Sequence, residues 1–269
     1  MRFSIPVVQG IHLPFQVPES ALQLGFFNDP LGTHGSRTMM MSELRLLLKA
    51  CPSSATLQDY RAAVIENNVL LKKTASTRQE SFRRLRELYA LNTDVILFRA
   101  LRDLWDDNEQ AQPLLALLCA AARDPLLRAT ADLILATPVG DTITPHVISD
   151  AIAETFPDRY SKIILANIGR HAASSWQQSG HLQGRLHKVR SRAESSPAAI
   201  AYALLFGYLC GARGEGLFQT VWAQLLDASV HSLYELAVSA AQRGYIDYRH
   251  SGSVIEISFR HLLRDFPLS

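Results

Sequence analysis

The chain is short of several things, and each shortage excludes something. Its three cysteines, Cys51, Cys119 and Cys210, stand far apart and no C-x-x-C occurs. That excludes a disulfide scaffold and reads as a reduced, cytoplasmic protein with small buried thiols. Glycine and proline number only 14 and 12 in 269 residues, too few for a collagen-like or low-complexity chain. Neither charge sign dominates: 27 Lys and Arg face 25 Asp and Glu, a net of +2. Bulk charge alone therefore does not make this a nucleic-acid binder. Long apolar runs are also missing. Residues 114–122 and 197–212 are the most apolar stretches, and both fall short of the ~18–20 residues of a membrane span. They read as buried helices, with no membrane partner. Residues 1–6 lack the apolar stretch of a secretory signal.

What is present is an ordinary globular composition, 48% apolar and 19% charged, long enough for one large domain or two ordinary ones. Three parts are expected. Residues 1–36, broken by Pro6, Pro14, Pro18, Pro30 and four glycines, read as an extended N-terminal arm. Residues 37–140 read as an N-terminal helical domain, helix-turn-helix-like. Residues 141–269 read as a C-terminal helical domain. Thr144-Pro145 and Ser196-Pro197 are helix starts, with a capping hydroxyl before a proline of fixed φ. Thr77-Arg78-Gln79-Glu80 and Ser232-Leu233-Tyr234-Glu235 match capping boxes. A helix is expected over about 160–171 and a short one over 217–226. After Gly244 the period changes to two, with Ile255, Ile257 and Phe259 on one face. The expected fold is thus mostly α, a helical bundle with helix-turn-helix-like units and a C-terminal winged-helix-like β-hairpin.

No catalytic motif is legible in the chain. Gly211–Gly216 lacks the G-K-[ST] of a phosphate-binding loop. His171, His181 and His187 are not at ligand spacing and have no cysteine near them, so no metal is expected. Ser174-Ser175 lacks the G-x-S-x-G elbow. No catalytic residue and no cofactor are expected, and the protein reads as a non-enzyme.

The basic residues are more informative. No acid occurs between Asp158 and Glu194, where Arg159, Lys162, Arg170, Arg185, Lys188, Arg190 and Arg192 carry +7. Over the whole chain acids average about one residue in eleven (25 of 269). Ser174, Ser175, Trp176, Gln177, Gln178 and His181 are interleaved. Lys and Arg neutralise phosphates, while Ser and Gln position the backbone or read base edges. A solvated loop is the bland alternative. A second cluster, Lys72, Lys73, Arg78, Arg83, Arg84 and Arg86 with Glu80, carries +5. Its i, i+4 pairs would suit any exposed helix, yet two lysines before a capped helix also suit a phosphate.

Several stretches carry a family resemblance. They are Glu66-Asn67-Asn68-Val69-Leu70, Lys73-Thr74-Ala75-Ser76-Thr77-Arg78, Leu85-Arg86-Glu87-Leu88-Tyr89-Ala90-Leu91, Ala122-Arg123-Asp124-Pro125-Leu126-Leu127-Arg128, and Ser174-Ser175-Trp176-Gln177-Gln178-Ser179-Gly180-His181-Leu182. In this order they resemble the BrxA-like proteins of bacterial BREX phage-defence systems, over about residues 37–263. The resemblance implies a mostly helical, non-enzymatic protein that binds double-stranded DNA beside other BREX components. The DNA contacts expected are Lys72, Lys73, Arg78, Arg83 and Arg84, with Arg170, Ser174, Ser175, Trp176, Gln177, Gln178, His181, Arg185, Lys188, Arg190 and Arg192. Two other readings stand beside it: a helical adaptor that docks other defence components, and a winged-helix transcriptional regulator. The regulator would read sequence with the helix near 232–243, which is poor in base-reading groups.

Overall fold

The computed structural model describes residues 16–30, 32–106, 108–251, 254–264 and 266. Among them helices dominate, with two small antiparallel sheets. The first half holds α1 (Glu19–Leu22), α2 (Met41–Ala50), α3 (Leu57–Ile65), α4 (Ala75–Tyr89), α5 (Ile96–Trp105), α6 (Gln112–Arg123), α7 (Pro125–Arg128) and α8 (Ala131–Ala136). Then come β1 (Thr142–Ile143), α9 (Pro145–Thr155), α10 (Lys162–Gln178), β2 (Leu182–Gln183) and β3 (Lys188–Arg190). The chain closes with α11 (Pro197–Leu209), α12 (Val221–Gln224), α13 (Val230–Gln242), β4 (Asp247–Ser251) and β5 (Val254–Ser258).

The two apolar stretches are the centre of the core. In α6 every residue from Leu114 to Ala122 is buried, and in α11 every residue from Ala198 to Gly207. The two helices pack on each other and on α5. No helix among the described residues is long and apolar enough to cross a membrane. One buried cluster runs from Val17 to Leu262, on both sides of residue 140.

The described part of the arm, from residue 16, packs on this body. Phe26 is buried, with its ring 5.2 Å from that of Phe206 and 5.6 Å from that of Trp222. Full burial of such a side chain stabilises by about 1.5–3 kcal/mol. A 3₁₀ turn, Thr33–Gly35, then buries Thr33 and His34. Residues 1–15 lie outside the described residues.

Two helix starts are as expected: Thr144 and Ser196 each cap with a side-chain oxygen, and Thr56 and Asp124 do the same for α3 and α7. Two capping boxes are not formed. Thr74, not Thr77, caps α4, and Ser229, not Ser232, caps α13. In both, an earlier hydroxyl three residues upstream takes the N–H, and the helix gains a turn. The helix expected over 160–171 runs on to Gln178. The one expected over 217–226 splits into a 3₁₀ turn, Gly214–Gln219, and the short α12.

The strands near the basic stretch were not expected. β1, β3 and β2 form a three-stranded antiparallel sheet in that order, with Thr142 opposite Val189 and Leu182 opposite Arg190. The order along the chain is helix, strand, helix, helix, strand, strand. α9 and α10 lie so close that a Cβ on Gly169 would stand 2.3 Å from the Pro145 carbonyl oxygen. Only glycine permits that approach. The C-terminal hairpin, β4 with β5, forms where the period changed, with Ile257 and Phe259 buried.

Candidate nucleic-acid interface

The acid-free stretch separates into an inside and an outside. Helical spacing puts Ile163, Asn167, Arg170, Ser174 and Gln177 on one stripe of α10, and all five are at least partly exposed. Arg170 donates to the Asn167 carboxamide oxygen, and Ser174 Oγ to the Arg170 carbonyl. Gln177, at the far end, accepts from the Lys188 ammonium. That ammonium also donates to the Gly184 carbonyl at 3.0 Å. The stripe therefore abuts the turn 184–187 between β2 and β3. Arg185, Leu186 and His187 of this turn are exposed. Lys162 is exposed in the first turn of the helix, where the free N–H groups add positive potential. Arg192 is exposed beyond β3.

The inside is structural and corrects five of the expected contacts. Trp176 is fully buried, and its Nε1 donates to Thr130 Oγ1 at 2.7 Å. Arg190 is 2% exposed and grips Asp227 with two 2.8 Å bonds. Lys188 is buried over the Gly184 carbonyl and Gln177. Ser175 and His181 are wholly buried. None of the five reaches a ligand, because β2, β3 and the C-terminal half of α10 pack inward. Gln178 is half-buried, and its Oε1 accepts the Met41 N–H at 3.1 Å.

Ser175 belongs to an arrangement that no sequence motif announced. His34 Nδ1 lies 2.7 Å from Asp124 Oδ2, and His34 Nε2 lies 2.7 Å from Ser175 Oγ. These are the distances of a serine-histidine-aspartate triad. The hydroxyl, however, already accepts the Met39 N–H at 2.8 Å and donates to the His171 carbonyl at 2.9 Å. A nucleophile needs space for an incoming carbonyl, and Ser175 is at 0% exposure. What the trio does is fasten the arm to α10. Burial opposes ionisation of Asp124, yet the charge and hydrogen bonds of His34 outweigh it and hold the carboxyl below its ordinary range. Tyr160 extends the fastening by donating to the Pro30 carbonyl, and Arg159 stands 3.7 Å from Asp29.

His181 gives a pH-dependent prediction. It lies between the Ser179 hydroxyl at 2.9 Å and the Leu225 carbonyl, which accepts from Nε2 at 3.1 Å. Burial holds its imidazole well below the ordinary histidine range; Asp227 acts against this, and nearby Arg190 with it. The unfolded chain binds the proton more tightly than the folded one. Stability is therefore full above about pH 6.5 and falls as the pH drops below it, by up to about 1.4 kcal/mol per pH unit. Urea midpoints between pH 8 and pH 4.5 measure this. The slope should flatten in His181→Gln, and an unchanged slope would count against His181 as its source.

The second basic cluster is largely neutralised. Lys72 pairs with Glu43 at 2.8 Å. Arg83 and Arg84 both pair with Glu80 and Glu87 at 2.7–2.9 Å. Hydrogen bonding from Arg83 draws the Glu80 carboxyl down to about 2. Lys73 and Arg86 remain exposed, and Arg78 is half-buried with no partner for its Nε among the described residues. The two clusters meet at one place. Asp29, which faces Arg159, also lines a cleft with Arg83 and Arg86.

Lys162 belongs to the basic stretch read from the sequence, His187 was weighed there only as a metal ligand, and Ile163, Asn167 and Leu186 carried no sequence expectation. The signal for the helical pair was the spacing from Ile163 to Gln177; that for the turn was Gly184 alone. Among the described residues no group of three His, Cys, Asp or Glu side chains gathers to hold a metal ion. The chain matches no family model and no curated protein.

Proposed function

We propose that the chain is a non-enzymatic, double-stranded-DNA-binding component of a BREX-type phage-defence system, and that its DNA surface is α10 with the turn 184–187. The observation that carries this is the acid-free exposed stripe on α10, which ends against a turn bearing Arg185. The order α8, β1, α9, α10, β2, β3 with sheet order β1-β3-β2 is that of a winged helix, α10 standing as recognition helix and 184–187 as wing. On this reading the winged unit is residues 131–190, upstream of the C-terminal hairpin where the sequence led us to expect one. Such a helix enters the major groove with its N-terminal residues toward the bases. Lys162, Arg170 and Arg185 supply phosphate contacts, and Asn167 and Gln177 supply groups able to read base edges. The BREX setting rests on the sequence resemblance.

A gel shift on duplex DNA across a salt series tests the surface. Lys162→Glu, Arg170→Glu and Arg185→Glu together should weaken binding at least tenfold and make the salt dependence shallower, by about one unit of slope per lost phosphate contact. Lys72→Glu with Lys73→Glu should change it much less. Full binding by the triple variant would remove α10 from the interface. The adaptor reading draws support from the exposure of Ile163 and Leu186, 77% and 86%. It would stand if Ile163→Ser and Leu186→Ser abolished co-purification with a defence component while DNA affinity held.

A further inference from the structure

Two arginines, Arg86 on α4 and Arg123 at the end of α6, pair with no carboxylate among the described residues. They line a cleft of about 410 Å³ together with Phe27, Thr33, Arg83, Glu87 and Leu88. Arg123 donates from Nε to the Glu87 carbonyl at 2.9 Å and from Nη1 to the Gly25 carbonyl at 2.6 Å. Its guanidinium lies 4.7 Å from the centre of the Phe27 ring. Carbonyls and a ring face orient a guanidinium without neutralising it. Arg86 is exposed and has no ion pair or side-chain hydrogen bond among the described residues. Arg86 and Arg123 also line a second cavity of about 170 Å³ on the side of Leu57 and Asn92, so the pair stands between two open spaces.

The acids of the cleft are already engaged. Glu87 accepts from Thr33 Oγ1 at 2.8 Å and pairs with Arg83 and Arg84. Asp29 faces Arg159. Burial, and the nearby Arg86, disfavour the charged form of Arg123. An anion between the two guanidinia would relieve both, since charge-assisted bonds to phosphate are strong and guanidinium geometry suits them. The volume is that of a small-molecule site, and Phe27 and Leu88 give it an apolar wall.

We propose that this cleft binds a small phosphorylated molecule of mononucleotide size, with Arg86 and Arg123 holding the phosphate and the Phe27–Leu88 wall taking the organic part. The site does not depend on the DNA surface. Thermal melts of the full chain with adenosine 5′-monophosphate, adenosine, or inorganic phosphate test it. The monophosphate at saturation should raise the melting temperature by about 3–6 °C, adenosine should not, and inorganic phosphate should do less. Arg86→Gln should melt like the parent chain without ligand and bind the monophosphate at least tenfold more weakly. Absence of a shift with the monophosphate, an equal shift from inorganic phosphate, or an unchanged shift in Arg86→Gln would each overturn the proposal. So would an Arg86→Gln variant that lost only duplex DNA affinity, because the phosphate would then be that of DNA.

Discussion

Arg190→Met should destabilise the protein by about 3–5 kcal/mol, although Arg190 sits in the most basic stretch of the chain. Its guanidinium bonds Asp227 through both Nη atoms, and its Nε donates to the Ile134 carbonyl at 2.7 Å. Nη1 also reaches the His181 and Ser191 carbonyls. One side chain thus ties β3 to the end of α8 and to the loop before α13. Removing it leaves the Asp227 carboxylate at 13% exposure without its cation, and a half-broken buried pair costs more than the pair contributes. Urea unfolding measures the loss. Asp227→Asn should cost a similar amount. The double variant Arg190→Met with Asp227→Leu should recover much of it, because no uncompensated charge then remains. Arg170→Ala, on the exposed stripe, should change stability by less than about 0.5 kcal/mol. If Arg190→Met kept parental stability and lost DNA binding, the assignment of inside and outside here would be reversed.

The second large effect is expected at Asp124. Asp124→Ala should cost about 3–5 kcal/mol. The carboxylate caps α7 by accepting the Leu126 N–H at 3.0 Å, and it takes both the His34 N–H and Nδ1. Loss of the cap alone costs about 1 kcal/mol, and the orphaned buried donors of His34 add to it. Gly32→Ala should act on the same joint, since its Cβ would stand 1.7 Å from Asp124 Oδ1. Both variants should release the arm. Limited proteolysis reads this as early cleavage near residues 30–40 ahead of any cut in α6 or α11. Resistance equal to that of the parent chain would show that Phe26 alone holds the arm.

These two residues show what sequence patterns convey and what they do not. Helix existence was legible because apolar spacing and caps are local. Thr144-Pro145, Ser196-Pro197 and Asp124-Pro125 start helices as their chemistry requires. Thr77 and Ser232 misled because a hydroxyl three residues earlier starts the helix one turn sooner and accepts their own backbone N–H, and propensity does not rank the two starts. β1, β2 and β3 were invisible because strands of two or three residues have no period to read.

The candidate site divided in the same way. That residues 159–192 carry seven cations and no acid is a fact of the sequence. Which of those residues face water is not. Arg185 and Arg190 are alike in sequence context, yet one lies on an exposed turn and the other 2% exposed on a carboxylate 37 residues away. His34, Asp124 and Ser175 meet across 141 residues of chain, and no spacing rule reaches that far. By itself the sequence determined a mostly helical chain with two apolar core helices and a concentrated basic segment, because periodicity, capping and charge are local properties. The tertiary structure alone decided which cations are internal struts and which form a surface. Burial depends on what packs against a side chain, and that partner is usually distant in the chain.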